Sequence, residues 1–145
     1  MIKHLPKILF FSLLILSCTA INQSGALQIP ADAKTIEFVK PADMSKKGAP
    51  LNIKYAEQNG DYAVFDVSYS GGCEEHEFKL ITTGVFATTY PPEVEVLLAH
   101  NNNGDNCRSV VDRKLFFELT PLRYDGTNQV RLIVKNTNKT LDYTY

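Results

Sequence analysis

The sequence predicts an all-β fold, a sandwich of immunoglobulin-like architecture with about seven to eight antiparallel strands over residues 34–145. Three observations predict it. Apolar residues recur with period two along most of the chain, the pattern of sheets with one wet and one buried face. Turn residues interrupt that pattern at regular intervals. No stretch of comparable length carries a helical period.

The elements follow in order. "KTIEFVK" (34–40) alternates and stops at Pro41, and "MSKKGAP" (44–50) is a loop. "LNIKYAE" (51–57) alternates again. Asn59-Gly60 then supplies the strongest short hairpin signal, leading into "DYAVFDVSY" (61–69), where Ala63, Phe65, Val67 and Tyr69 share a face. Gly71-Gly72 ends that strand. "EEHEFKLIT" (74–82) puts His76, Phe78 and Leu80 on one side, against Glu75, Glu77 and Lys79 on the other. After a loop holding Pro91-Pro92, "EVEVLLAH" (93–100) aligns Val94, Val96, Leu98 and His100. "RKLFFELTPL" (113–122) buries Leu115, Phe117 and Leu119. "QVRLIVKN" (129–136) and "KTLDYTY" (139–145) close the chain as a hairpin. The tyrosines Tyr124, Tyr143 and Tyr145 cap a sandwich or form an aromatic contact patch. One domain accounts for 34–145, an ordinary domain size.

The first residues, "MIKHLPKILFFSLLILSC", carry Lys3 and Lys7 ahead of an apolar run at 8–16. That run has the length of a signal-peptide core and is well short of the ~20 residues that span a bilayer. It ends in "ILSC" (15–18), which resembles a bacterial lipobox, with Leu16 larger than the residue usual at its position. The resemblance implies a lipoprotein signal peptide at 1–17, cleavage before Cys18, and acylation of Cys18, palmitate included. The competing reading is an ordinary secretory peptide cleaved at "CTA" (18–20). Several acyl chains, at about 0.8 kcal/mol per buried CH₂, hold a protein firmly on membrane lipid. Residues 18–33 are small and polar and read as a flexible tether. Thr19 stands where the sorting rule of enteric bacteria would place Asp for inner-membrane retention, which favours the outer membrane.

Cleavage leaves 128 residues, with thirteen basic against sixteen acidic, a net charge of −3. That mild acidity, without a basic stripe, argues against a nucleic-acid partner. A lipid-anchored protein of the cell envelope with an envelope protein as partner is the expectation. No nucleophile elbow, phosphate loop or dinucleotide fingerprint is present, and Ser68 and Ser70 are near His76 without an arrangement that singles either out. A non-enzymatic chain is expected.

The chemistry-bearing residues concentrate in "SGGCEEHEFKL" (70–80) and "LLAHNNNGDNC" (97–107). Pairing the two strands with Leu80 opposite Val96 sets Phe78 against Leu98 and His76 against His100, and keeps every apolar face consistent. Cys73 and Cys107 then converge on the same end. Three readings compete. A Cys73–Cys107 disulfide, favoured in an oxidising compartment, closes a loop of about 35 residues and contributes about 3–4 kcal/mol, with the histidines filling the core end and no metal bound. A zinc site of Cys73, Cys107, His76 and His100 has the right ligand types, but C-x₂-H with H-x₆-C is not the spacing of known zinc motifs. A disulfide with a metal on His76 and His100, helped by Glu74 or Asp105, is the third. "NNNGDN" (101–106) has one carboxylate and reads as a polar turn rather than a Ca²⁺ loop. Buried neutral histidines would cost stability below about pH 6.

At "SYSGGCEEHEFKL", "PPEVEVLLAHNNNGDNC" and "LFFELTPL" the chain resembles a group of small Bacteroidetes-type envelope lipoproteins, with the NigD-like lipoproteins and their C-terminal β-sandwich as the nearest named relatives. The resemblance covers about 68–122. It implies a lipoprotein and a sandwich, and carries no activity or binding residue. The chain has no room for the additional N-terminal domain of those relatives.

Overall fold

A computed structural model describes residues 28–46 and 48–145. The expected signal peptide at 1–17, Cys18 and most of the expected tether lie outside the described residues. Residues 28–33 have no strand and close one turn, with Ala33 N–H donating to Pro30 O at 3.2 Å.

Among the described residues nine strands build two sheets. They are β1 (Lys34–Thr35), β2 (Glu37–Phe38), β3 (Asn52–Asn59), β4 (Tyr62–Gly71), β5 (Glu77–Ala87), β6 (Glu93–Asn101), β7 (Ser109–Glu118), β8 (Gln129–Val134) and β9 (Thr140–Thr144). One sheet has the order β1-β7-β4-β3 and the other β2-β5-β6-β8-β9. The expected β-sandwich is present, but its sheets are mixed. β1 pairs with β7, β2 with β5 and β6 with β8 in parallel, whereas the sequence reading had every pair antiparallel. Strand polarity is set by the path of the connections, and period-two alternation carries no record of it.

The segment 34–40, read as one strand, crosses from one sheet to the other. Thr35 pairs with Glu118 in the first sheet and Glu37 with Ile81 in the second, while Ile36 between them is buried in the core. The chain then folds over the outer face of the second sheet. A 3-10 turn, Asp43–Ser45, drops Met44 onto Ile81 and Leu97, with Val39 and Ala99 packed alongside. Strands β5 and β6 are thereby covered on both faces around these residues.

The main core lies between the sheets. It joins Phe65, Val67, Leu115 and Phe117 of one to Phe78, Leu80, Val96, Leu98, Val130 and Leu132 of the other. The expected inward faces of β4, β5, β6 and β7 are the observed ones. On β3 a bulge at Lys54 shifts the alternation, so Ala56 packs on the core and Tyr55 is exposed. The closing tyrosines cap the sandwich. Tyr143 is fully buried and donates its hydroxyl to Asp61 at 2.7 Å, and the Tyr145 hydroxyl donates to Tyr124 O at 2.9 Å.

The β5–β6 hairpin corrects the register. Leu80 faces Leu98, Phe78 faces His100 and Glu77 faces Asn101, two residues from the expected pairing. The cause is that β5 turns later than expected, with Ala87 opposite Glu93, four residues from the expected register, and an irregularity in β5 then takes back half of that offset. The strand continues past Thr82 to Ala87, and Thr83, Gly84 and Val85 bulge out between the Thr82–Val96 and Phe86–Val94 pairs. Thr82 organises the bulge, donating its hydroxyl to Glu95 O at 2.7 Å and accepting from Gly84 N–H at 3.1 Å. Gly84 has φ +71, and a Cβ there would meet the Phe38 ring at 2.7 Å, so glycine is favoured there. A slip of two keeps every side chain on its face, which is why the pattern of faces does not reveal it.

Candidate functional site

Both histidines end on the inward face at the end of the sandwich away from the β5–β6 turn. His100 is the last inward residue of β6, and His76 lies one residue before β5. They are 5 % and 4 % exposed for His76 and His100 respectively. Aromatic rings sandwich them. Tyr69 of β4 lies 4.5 Å from the His76 ring and 5.2 Å from that of His100, and Phe78 stacks on His100 at 4.7 Å with 3° between the planes. The chain ahead of β3 closes the outer side. Ala49 N–H donates to His100 O at 2.8 Å, and Pro50 O lies 3.1 Å from His100 Nδ1.

Cys73 and Cys107 are disulfide-bonded, with Cα atoms 5.9 Å apart. The bridge ties the turn after β4 to the loop after β6. Inside that closure sits Asp105, the residue whose weight sequence reasoning missed. Its side chain is fully buried. Oδ2 accepts from three successive backbone N–H groups, those of Gly72 at 2.9 Å, Cys73 at 3.0 Å and Glu74 at 3.1 Å, and lies 3.1 Å from His76 Nε2. Oδ1 accepts from Cys107 N–H at 2.8 Å. A carboxylate held by this many donors stays ionised. The N–H groups of Cys107 and Glu74 lead in holding Asp105 well below the usual carboxylate range, followed by Cys73 and the His76 ring, against the opposing effect of burial.

The loop "NNNGDN" is the polar turn expected. Asn101 Oδ1 accepts from Asn103 N–H at 3.1 Å, Asn102 Nδ2 donates to Asp105 O at 3.1 Å, and Asn103 Nδ2 donates to Glu75 O at 2.7 Å. A single acid in a turn two residues before a cysteine was the available signal for Asp105. It could not show that the turn folds back onto the amides at 72–74.

The structure therefore brings together all four residues expected to converge. Their arrangement is that of a disulfide beside a hydrogen-bonded histidine pair. The two thiols are bonded to each other. His76 Nδ1 and His100 Nε2 lie 2.8 Å apart, in direct hydrogen-bond contact. Two nitrogens on one tetrahedral zinc sit roughly 3.3 Å apart, given Zn–N bonds of about 2.0–2.1 Å. Cys73, Asp105 and Cys107 also cluster, but the sulfurs are in the disulfide and both Asp105 oxygens are occupied by N–H donors. Nor does the site present a base to a substrate. The Asp105–His76 pair has the form of a carboxylate orienting an imidazole, yet the far nitrogen of His76 meets His100 rather than a nucleophile. Ser68 accepts from Asn52 Nδ2 at 3.3 Å, and Ser70 is exposed. Among the described residues no buried side-chain nitrogen or oxygen lacks a partner.

Gly71 is the tightest point of this packing. A Cβ there would lie 2.6 Å from the His76 ring and 2.9 Å from Asp105 Oδ2. Gly71→Ala is expected to destabilise by about 1–3 kcal/mol through overpacking. Urea denaturation checks it, and a change of only a few tenths would show that the ring and carboxylate shift freely.

No protein-family model matches the chain, and no curated protein sequence matches it. Solved structures do. A NigD-like immunity protein from Bacteroides caccae superposes with TM-score 0.54 at 14 % identity, covering 76 % of this chain and 57 % of that one. A protein of unknown function from Bacteroides vulgatus gives TM-score 0.55 at 19 % identity, covering 78 % and 56 %. A protein described as a candidate lipoprotein from Bacteroides fragilis gives 0.53 at 9 % identity, covering 78 % and 69 %. The described chain spans a little over half the length of the first two. At these identities the likeness is one of fold. The NigD-like sandwich that the sequence resemblance implied is among these folds.

Proposed function

We propose that the chain is a lipid-anchored protein of the bacterial cell envelope whose β-sandwich binds a protein partner or serves structurally, without catalysing a reaction. The observation that carries the second half is the closed Cys–His end. Every hydrogen-bonding atom of Asp105, His76 and His100 named above faces another group of the same chain, leaving no base or ligand set turned outward. The "ILSC" motif at 15–18 supports the anchor through Cys18, and Thr19 favours the outer membrane. The descriptions of two structural neighbours, an immunity protein and a candidate lipoprotein, agree with an envelope protein. The zinc alternative on His76 and His100 finds no support in a 2.8 Å contact between their nitrogens.

Expression in a bacterium fed labelled palmitate tests the anchor. The label is expected in the membrane fraction, and Cys18→Ser is expected to abolish labelling and block signal-peptide cleavage. Unlabelled protein released into the periplasm by the wild type would overturn the reading. Cross-linking on intact cells followed by mass spectrometry then addresses the partner.

A further inference from the structure

Hydrogen-bond complementarity fixes most of the protons in the chain Asp105–His76–His100–Pro50. The Pro50 carbonyl only accepts, so His100 Nδ1 at 3.1 Å carries a proton. The Asp105 carboxylate only accepts, so His76 Nε2 at 3.1 Å carries one as well. If both rings were neutral, each would then be bare at its other nitrogen. Those other nitrogens, His76 Nδ1 and His100 Nε2, are the ones 2.8 Å apart. Two lone pairs do not approach to that distance in a dry site, whereas one proton between them makes a good hydrogen bond.

We propose that the His76–His100 pair holds one extra proton in the folded protein, with His76 as an imidazolium paired to Asp105 and His100 as a neutral acceptor. All donors and acceptors of the chain are then matched, and the buried positive charge has a buried negative one beside it. A second proton is refused. Burial in the first place, with the charge of His76 adding to it, pushes His100 below the ordinary histidine range, against the Pro50 and Ala49 backbone groups.

The consequence is a stability maximum rather than a one-sided acid loss. Unfolded, the two histidines titrate near about 6.5 and together bind two protons at low pH and none at high pH. Folded, the pair binds one across that range. Below about 6.5 the unfolded chain binds more protons, so stability falls as pH falls. Above it the folded chain binds more, so stability falls as pH rises. On each side the folding constant drops, approaching tenfold per pH unit at the steepest. The expected acid loss survives, for one proton instead of two, and an alkaline loss is added.

Other charged groups around the pair do not reproduce this. Lys34 of β1 donates to Phe78 O at 3.0 Å, and Arg113 of β7 lies 5.8 Å from the Phe78 ring. Lys114, Glu75 and Glu77 also line the grooves beside His76, and Lys46 and Lys135 that beside His100. Tyr69 lies tilted against both rings. Histidine is the side chain whose ordinary titration falls between pH 5 and 8, and the third histidine, His4, lies in the signal peptide.

The test is ¹⁵N–¹H correlation of the imidazole rings in the full chain, purified in detergent, at pH 7.5. The expected spectrum has both nitrogens of one ring protonated and the other ring with one protonated and one accepting nitrogen. Two neutral rings, or two doubly protonated ones, overturn the proposal. Urea denaturation of wild type and His100→Gln from pH 5 to 9 gives a second readout. A glutamine amide that donates to Pro50 O presents its oxygen to His76 Nδ1, as a neutral His100 does, so His76 keeps its extra proton and the variant is expected to keep the alkaline decline and lose the acid one. Loss of the alkaline decline in a folded variant overturns the proposal, and if the variant does not fold the wild-type spectrum decides alone.

Discussion

Asp105→Asn is expected to lower the melting temperature by about 10 °C or more at pH 7, the largest effect of any single polar substitution in this domain. The carboxylate accepts from the N–H groups of Gly72, Cys73, Glu74 and Cys107 and faces the His76 ring, all with its side chain out of water. An asparagine of the same shape turns an NH₂ group toward donors that need an acceptor, and it removes the negative charge in contact with His76. The pH dependence gives a signature. Asp105 is held below the usual carboxylate range, so its contribution is complete above about pH 4 and fades as pH falls below it. The gap between wild type and variant should narrow as pH is lowered from 5 to 2. Thermal melts followed by circular dichroism check both points. A variant melting within a degree or two of wild type would show that the Asp105 cradle carries little of the stability.

Removing the disulfide, as Cys73→Ser with Cys107→Ser, is expected to cost about 3–4 kcal/mol, because the bridge closes a loop whose ends are 34 residues apart. The bridge also positions amides at both its ends that donate to the Asp105 carboxylate. The cysteine and Asp105 substitutions should therefore be non-additive, with the combined loss smaller than the sum. Urea denaturation of the four proteins of that cycle measures the coupling. An unchanged midpoint without the disulfide would contradict the prediction, and strict additivity would separate the bridge from the carboxylate.

What the sequence made legible was whatever period two records. Phe65, Val67, Phe78, Leu80, Val96 and Leu98 were placed on their correct faces, and the same alternation carried His76 and His100 to one end of the core. Features independent of face were not legible. The parallel pairing of β6 with β8 depends on where the chain travels after Glu118, and the two-residue slip in β5–β6 depends on where β5 turns and on how much of that offset the bulge centred on Gly84 takes back. The crossing at Ile36 looked like continuous alternation because both sheets use the same period. Asp105 was hidden for another reason. Its role comes from a loop folding back on three amides, and no side-chain pattern announces a backbone donor. With Asp105 unplaced, two buried histidines read as two neutral ones. The carboxylate and the Pro50 carbonyl at the two ends of the chain of rings are what require the extra proton.

We propose that the Cys–His end is a closed structural lock rather than a metal centre or a catalytic one. Intact mass of residues 20–145, secreted into an oxidising compartment and purified without chelator, tests it most directly, under native and denaturing conditions with thiol alkylation. A mass two protons light, with no alkylation and no bound metal, is the predicted result. Two alkylatable thiols, with a stoichiometric metal present natively and lost on denaturation, would contradict it and make Cys73, His76, His100 and Cys107 a metal site after all.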